Sequence, residues 1–312
     1  MRIAIIGQQD FGKAALEAFV ARGDQIVGVF CKPEKPGEKP DALRAAAEGL
    51  GLKVFQFASL KSAEAEQAMR DLDADIGVMA YVLQFAPQSF VNIPKHGTIQ
   101  YHPSLLPKYR GPSSINWPIA RGDSQTGLTI FRPTDGLDEG PVILQKTCPI
   151  GPDATLGDVY FNSLFPLGVA ALLEAADLVV AGKHQEVVQD ESQASYEGWF
   201  KAEEARINWA NHVDQVYNLI RACNPAPGAW CELGGVKVSI FDCRKHPIRR
   251  FAEVIGKPGE VVKITETSIF INAQGGQIEV LKLRPDGGKK MEAGEFARSC
   301  GLPSTSEKKN SD

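Results

Sequence analysis

The chain has 312 residues, of which 43% are hydrophobic and 23% are charged, and its formal net charge is −4. These values are typical of globular proteins, and the length suits two domains of ordinary size. The net negative charge argues against nonspecific binding of nucleic acid, and the lack of a long uncharged apolar run predicts that no segment spans a membrane.

The first half of the chain alternates short apolar runs with helical patterns. Strands are expected at RIAIIG, QIVGVFC, KVFQF, DIGVMAY and GTIQYH, with one helix from about Lys13, a second around Ala42 to Gly49 and a third before DIGVMAY. This rhythm predicts βαβ units on a Rossmann-like, mostly parallel α/β sheet. Ligands of such sheets bind beyond the carboxyl ends of the strands, which directs attention to the segments after Ile6, Val78 and Tyr101.

The second half continues with a helix near Ser113 to Ala120, the strands GLTIFR and PVILQK, and a long helix from about Leu156 to Val180. A polar connector, an amphipathic helix (HVDQVYNLIRA) and about five short strands follow, which predicts a small, partly open β-barrel of the oligonucleotide-binding (OB) kind. We expect a first domain over residues 1–190, a linker over 191–206, a second domain over 207–303 and a disordered tail over 304–312.

The opening MRIAIIG lacks the apolar core and cleavage site of a signal peptide and is interpreted as a first strand. The six cysteines are scattered, with no C-x-x-C pair and no histidine at metal-ligand spacing. This pattern predicts reduced structural thiols in a cytoplasmic protein and no metal site.

The first loop resembles a phosphate-binding motif but fails at one position. Residues 7–14 read GQQDFGKA, and Ala14 stands where the pattern G-x-x-x-x-G-K-[ST] needs a hydroxyl for magnesium. The dinucleotide pattern G-x-G-x-x-G fails as well, since Gln9 replaces its second glycine. Nucleotide or dinucleotide binding is therefore the disfavoured alternative.

The segment HGTIQYHPSLLPKYRGPSSINW, residues 96–117, is the most informative. Side chains alternate in an extended segment, so Gln100 and His102 project from one face while Tyr101 projects from the other. Pro103 ends the strand and restrains His102 to extended geometry. His102 alone would suit a structural histidine, but the neighbouring amide favours a functional site.

A polar turn, TDGLDEG, lies between the next two apolar strands. Asp135 is explained as a turn former that bonds its own backbone. Asp138 lies at the lip of a strand in the same domain as His102, where its carboxylate could orient the imidazole and hold it protonated.

Two motifs resemble those of the formyltransferase superfamily that uses 10-formyltetrahydrofolate. His102-Pro103-Ser104-Leu105-Leu106-Pro107 matches its H-x-S-L-L-P motif, and Leu137-Asp138-Glu139-Gly140 matches its second motif. The resemblance extends over nearly the whole chain, including INWANHVDQVYNLIRACNPAPGAW in the second domain.

The resemblance implies a folate formyl donor, no metal, and three catalytic side chains. The family's Asn, His and Asp correspond to Gln100, His102 and Asp138, and Gln100 departs from the family by one methylene. His102 and Gln100 would donate to the developing oxyanion. The folate is expected against the segment VMAYVLQF and the loop from Arg132 to Asp138, with contacts at Met79, Tyr81, Leu83, Gln84, Phe85 and Asp135.

Two branches of the superfamily compete. The loop after the second strand, CKPEKPGEKPDALRAAAEG, lacks the net positive charge with which methionyl-tRNA formyltransferases grip tRNA. YHPSLLP, SSINW and FKAEEARINW look closer to the hydrolase domain at the amino end of 10-formyltetrahydrofolate dehydrogenase. Hydrolysis to formate and tetrahydrofolate is therefore favoured. Transfer to methionyl-tRNA or to a small amine such as a sugar amine stays open, as does the oligomeric state.

Overall fold

The computed structural model describes residues 1–250, 253 and 256–303. It divides into two compact units. The first comprises Met1–Ser114, Thr126–Cys148 and Phe161–Glu197, and the second comprises Ile115–Gln125, Pro149–Tyr160 and the chain from Gly198 onward. The linker proposed at residues 191–206 stays a prediction, and the tail predicted over residues 304–312 lies outside the described residues.

The N-terminal two thirds of the chain supplies a seven-stranded sheet with the strand order β3-β2-β1-β4-β5-β6-β7. Its strands are β1 Arg2–Gly7, β2 Gln25–Phe30, β3 Val54–Phe55, β4 Ile76–Ala80, β5 Thr98–His102, β6 Gln125–Phe131 and β7 Val142–Pro149. The helices of this part are α1 Gln9–Ala21, α2 Ala42–Gly49, α3 Ala63–Asp71, α4 Gln88–Val91, α5 Asn116–Arg121, α6 Leu156–Val159 and α7 Phe165–Val180.

The predicted mostly parallel sheet is confirmed. Strands β1 to β5 pair in parallel, whereas β6 runs antiparallel to β5. All five residues of β4 are buried, as both faces of a central parallel strand should be. On one face α7 packs against β5, where a Cβ at Gly168 would meet the rings of Tyr101 and Phe11. Those two rings stack with centroids 4.3 Å apart.

Helix α1 begins at Gln9, four residues before the start expected from the apolar pattern. The first turn is stabilised from a distance, because both carboxylate oxygens of Asp41 accept from the Gln9 backbone N–H, at 2.8 and 2.9 Å. Sequence periodicity could not reveal this capping residue, since it lies on the loop before α2.

Packing explains the two glycines of the GQQDFGKA segment. A Cβ at Gly7 would lie 2.1 Å from the carbonyl oxygen of Ala80, and a Cβ at Gly12 would lie 3.2 Å from the same oxygen. The glycines therefore allow α1 and the end of β1 to approach the backbone of β4.

The second unit contains a six-stranded antiparallel sheet with the order β10-β11-β12-β9-β8, in which β13 pairs with β12. Its elements are α8 Val213–Ala222, β8 Ala229–Leu233, β9 Val236–Pro247, β10 Val261–Ile264, β11 Ile269–Ala273, β12 Gly276–Pro285, β13 Met291–Glu292 and α9 Ala293–Cys300. Helix α8 buries Val216 and Ile220 in the core of this unit. Closure of the sheet into an OB-like barrel stays a prediction.

One helical stretch among the described residues, Leu156–Val180, is long and apolar enough to cross a membrane by length and composition alone. It consists of α6, a π-helical turn at Tyr160–Leu164 and α7. Core helices of globular proteins meet the same criterion, and α7 buries Ala171, Leu172, Ala175 and Ala176 in its own unit.

All six cysteines are free thiols, and burial raises the pKa of Cys223 to about 12.

We expect Gly7→Ala to lower the free energy of unfolding by about 2 kcal/mol or more, because a backbone carbonyl oxygen occupies the space of the new methyl group. Gly49→Ala is the matched control. It lies at the end of α2 with nothing near its Cβ, so it should raise stability by about 0.5–1 kcal/mol. Urea unfolding of both variants measures the difference, and equal stabilities would contradict the packing explanation.

Candidate active site

Gln100 and His102 lie at the carboxyl end of β5, as the sequence predicts. The strand alternation puts their side chains on one face, while Tyr101 packs against Phe11 on the other. His102 is only 6% exposed, whereas Gln100 is half-buried. An imidazole and an amide therefore share one face of the sheet edge.

The ring of His102 is fixed by the backbone of the following loop. Its Nε2 lies 2.9 Å from the carbonyl oxygen of Tyr109. A carbonyl oxygen can only accept, so Nε2 carries a hydrogen and donates it. The other ring nitrogen, Nδ1, lies 3.6 Å from Oδ2 of Asp138. Nδ1 is therefore the nitrogen that can meet a ligand beside the Asp138 carboxylate.

The structure brings Asp138 to His102 across the turn between β6 and β7. Asp138 is 8% exposed, and its Oδ2 accepts from the Gly111 backbone N–H at 2.9 Å. Its φ of 54° lies in the left-handed region, which costs a residue with a side chain about 1–2 kcal/mol. Strained residues of this kind persist where the surrounding structure holds them in place.

Three polar residues that sequence reasoning missed hold the loop after β5. Thr129 Oγ1 donates to the carbonyl oxygen of Ser104 at 2.7 Å and accepts from Leu106 N at 3.1 Å. The Gln145 amide donates to the carbonyl oxygen of Leu106 at 2.8 Å. Tyr109, the third, has a φ of 57°, and its carbonyl oxygen bonds His102. Nothing in the local pattern marks these residues, because Thr129 and Gln145 bond partners 25 and 39 positions away and the role of Tyr109 depends on the path of the loop.

The predicted folate segment after β4 is only partly exposed. Met79 is 4% exposed and packs in the core of the first unit, so only its backbone can meet a ligand. Tyr81, Leu83 and Phe85 are exposed by 39%, 48% and 47%. The Gln84 amide donates to the carbonyl oxygen of Phe57 at 2.9 Å, so Gln84 has a structural partner.

Asp135 is exposed and also has a structural partner, because its Oδ1 accepts from Gln88 N at 3.0 Å at the start of α4. The sequence interpretation of Asp135 as a turn former that bonds its own backbone differs from this contact, because the bonded N–H lies 47 positions away in the chain. The contact of Asp135 with folate stays a prediction.

The loop after β2 carries no net positive charge, and its residue Glu34 is held by several hydrogen bonds. The side chain of Glu34 accepts from Asp41 N, from the amide of Gln56 and from the guanidinium of Arg44. Burial alone would raise the pKa of Glu34, but these hydrogen bonds outweigh it and lower the pKa to about 2. Residues 32–41 contain three lysines and three acidic residues, so the formal charges of this segment cancel.

A buried imidazole beside a carboxylate, with an amide on the same strand, defines a site suited to acyl-group chemistry. The family description "Formyl transferase" matches residues 1–175, and "Formyl transferase, C-terminal domain" matches residues 200–301. The chain belongs to the formyl transferase family. No group of three or more His, Cys, Asp or Glu within the described residues could hold a metal ion.

Curated relatives span several members of this family. The chain is 36% identical over 307 residues to the mitochondrial 10-formyltetrahydrofolate dehydrogenase of Mus musculus, an alignment that covers 95% of this chain and 33% of that protein. It is 31% identical to the methionyl-tRNA formyltransferase of Geobacter sulfurreducens, covering 95% of this chain and 93% of that protein. The chain thus spans about a third of the length of the dehydrogenases that it matches.

Solved structures share the fold at lower identity. An N-formyltransferase from Helicobacter canadensis, in complex with folinic acid and dTDP-3-aminofucose, has a TM-score of 0.65 at 19% identity, covering 89% of this chain and 98% of that one. HypX from Aquifex aeolicus, in complex with tetrahydrofolic acid, also has a TM-score of 0.65 at 19% identity, covering 97% of this chain and 48% of that one.

We expect Glu34→Gln to destabilise the loop after β2, with a loss on the order of 1 kcal/mol at pH 7 once solvent screening is allowed for. Because the folded-state pKa lies below the ordinary value of 4.5, the stabilisation is present above pH 4.5 and is lost as pH falls toward 2. Unfolding of both proteins at pH 7 and pH 3 should show the difference shrinking in acid. Glu38→Gln, in the same loop, is the control, and a difference independent of pH would contradict the assignment.

Proposed function

We propose that this chain removes the formyl group of 10-formyltetrahydrofolate by hydrolysis and releases formate and tetrahydrofolate. The observation on which the proposal depends is the buried pair of His102 and Asp138, 3.6 Å apart, on the same sheet edge as the Gln100 amide. Family membership supports a formyl donor, and the named ligands of related structures favour a folate as its carrier.

The chemistry follows from the charge that develops at the formyl group. Attack on the formyl carbon places negative charge on its oxygen, and each aimed donor stabilises that charge by a few kcal/mol. Gln100 offers the side-chain N–H, and His102 offers Nδ1, since Nε2 is bonded to Tyr109. A ring that donates at both nitrogens is cationic, and the Asp138 carboxylate supplies the opposite charge.

Asp138 also suits the proton transfer. In this mechanism a water molecule attacks the formyl carbon, the bond between carbon and the folate nitrogen breaks, and the proton of the water reaches that nitrogen. Gly111 N holds one carboxylate oxygen of Asp138, and in this mechanism the other accepts from the attacking water.

The choice of water over tRNA rests on the loop after β2. A loop that grips tRNA needs unpaired basic residues whose binding releases counterions. Here the three lysines between residues 32 and 41 are balanced by three acidic residues, and Arg44 pairs with Glu34, so the loop offers little net charge to a phosphate backbone. Identity favours the same branch, at 36% to the dehydrogenase against 31% to the tRNA enzyme.

An acceptor assay tests the proposal. Purified protein given 10-formyltetrahydrofolate alone should release formate and tetrahydrofolate in equal amounts. If product forms only after addition of methionyl-tRNA or a nucleotide-linked amino sugar, and the formyl group is found on that acceptor, the chain is a transferase and hydrolysis is excluded.

We expect His102→Ala and Asp138→Asn each to lower kcat by about 10²–10⁴ with a much smaller effect on KM, because both groups act mainly on the transition state. Asp138→Asn keeps an oxygen for Gly111 N, removes the charge and replaces the second carboxylate oxygen by an NH2 group. Glu139→Gln, exposed in the same turn, is the control. Near-normal kcat in either variant would remove that residue from the mechanism.

Gln100 should determine which nucleophile is accepted. Its extra methylene extends the amide further into the site, which leaves room for water and crowds a bulky amine. Gln100→Ala should slow formate release by roughly 10²–10³, and Gln100→Asn should keep part of the rate. Rates of formate release and of transfer to amines, measured side by side, test this. Unchanged hydrolysis in Gln100→Ala would contradict an oxyanion role.

A further inference from the structure

A segment far from both motifs holds the backbone around His102 and Asp138. Residues 187–197, here called the strap, follow α7 in the first unit. The strap begins by pairing with β7, where Val187 and Val142 exchange two backbone hydrogen bonds of 2.8 and 2.9 Å. From there it runs past the turn that carries Asp138 and then past the loop that carries Tyr109.

Gln189 holds the turn that carries Asp138. Its Nε2 donates to the carbonyl oxygens of Asp138, at 2.8 Å, and Gly140, at 2.7 Å. Its Oε1 accepts from Nε and from a terminal nitrogen of Arg110, at 3.2 and 2.8 Å. The residue is 6% exposed, so these four bonds are shielded from water. They fix the backbone at the position where Asp138 adopts its left-handed conformation.

The end of the strap holds the loop that orients His102. Ser195 Oγ accepts from Tyr109 N at 2.8 Å, and Ser195 N and O bond Pro107 O and Arg110 N. The backbone groups of Tyr109 and Gly111 in this loop have three different partners. The N–H of Tyr109 is bonded to the strap while its C=O accepts from His102, and the N–H of Gly111 donates to Asp138.

The buried contacts matter more than the exposed ion pair of the strap. Glu191 pairs with Arg110, but the Glu191 side chain is 67% exposed, and exposed ion pairs contribute little. Gln189 is buried, and its replacement would leave the carbonyl groups of Asp138 and Gly140 without this donor and would remove two of the hydrogen bonds of the Arg110 guanidinium.

We infer that Gln189 and Ser195 are positioning residues for the formyl-removal reaction. Gln189 acts through the backbone of Asp138, and Ser195 acts through the backbone of Tyr109, whose N–H bonds the Ser195 hydroxyl and whose carbonyl oxygen orients His102. The inference rests on the proposed function for the reaction, but the geometry that it concerns can be measured without turnover. Groups displaced by about 1 Å typically lose ~10² in rate.

The kinetic test uses matched substitutions within the strap. Gln189→Met removes four hydrogen bonds at similar volume, and Gln193→Met, at an exposed strap residue, is its control. Ser195→Ala removes the acceptor of Tyr109 N, and Ser195→Thr restores a hydroxyl. Tetrahydrofolate formation, which hydrolysis and transfer share, is measured per folded molecule as a function of pH.

Gln189→Met and Ser195→Ala should lower kcat by roughly 10–100-fold with little change in KM and should alter the pH profile of kcat. Ser195→Thr should recover part of the rate, and Gln193→Met should match the wild type. A merely structural role would reduce the folded fraction and leave kcat per folded molecule and the pH profile unchanged, which would overturn the inference.

A second measurement separates this inference from the proposed function. Imidazole resonances of ¹⁵N-histidine-labelled protein, with His102 assigned through His102→Gln, report the ring directly. They should shift in Gln189→Met and Ser195→Ala but not in Gln193→Met. If the wild type forms no tetrahydrofolate with any acceptor, the proposed function fails. If the His102 resonances are unchanged in all variants, the positioning role is contradicted, whatever the outcome for the proposed function.

Discussion

The hydrogen bond between His102 Nε2 and the Tyr109 carbonyl oxygen is the constraint on which the site depends. It assigns one ring nitrogen to the backbone and leaves the other to face Asp138 and a ligand. The bond requires the loop after β5 to turn back on its own strand, which Thr129 and Gln145 enforce from β6 and β7. The backbone conformation of the loop after β5 thus determines which nitrogen of His102 is available to a ligand.

The proposed catalytic and folate-binding groups differ in how deeply they are buried. His102 and Asp138 are buried, whereas Gln100 is half-buried and three apolar side chains after β4, at Tyr81, Leu83 and Phe85, are exposed. Buried polar groups interact strongly and demand satisfied partners, which accounts for the dense bonding behind His102 and Asp138. The exposed side chains Tyr81, Leu83 and Phe85 can adapt to a bound ligand at little cost.

The sequence predicts the mostly parallel sheet and the strand that carries Gln100 and His102, because both depend on short-range patterns. Buried parallel strands read as continuous apolar runs, and alternation alone sets Gln100 and His102 on one face. The start of α1 and the roles of Tyr109, Thr129, Gln145 and Gln189 could not be predicted. Each depends on a partner many residues away, as with Asp41, which bonds Gln9 across 32 positions. The capping contact of Asp135 is of the same kind.

The carboxylate of Asp41 also bears on how chains of this kind are recognised. It lies at the amino end of α1, where proteins with a doubly wound sheet commonly bind a phosphate group. In this chain a carboxylate of the protein itself takes that position. The spacing of glycines after a first strand therefore does not distinguish a nucleotide-binding protein from a protein whose first helix is capped by its own carboxylate. In this chain the acidic residue Asp41, on the loop after β2, is what marks the helix end as self-capped.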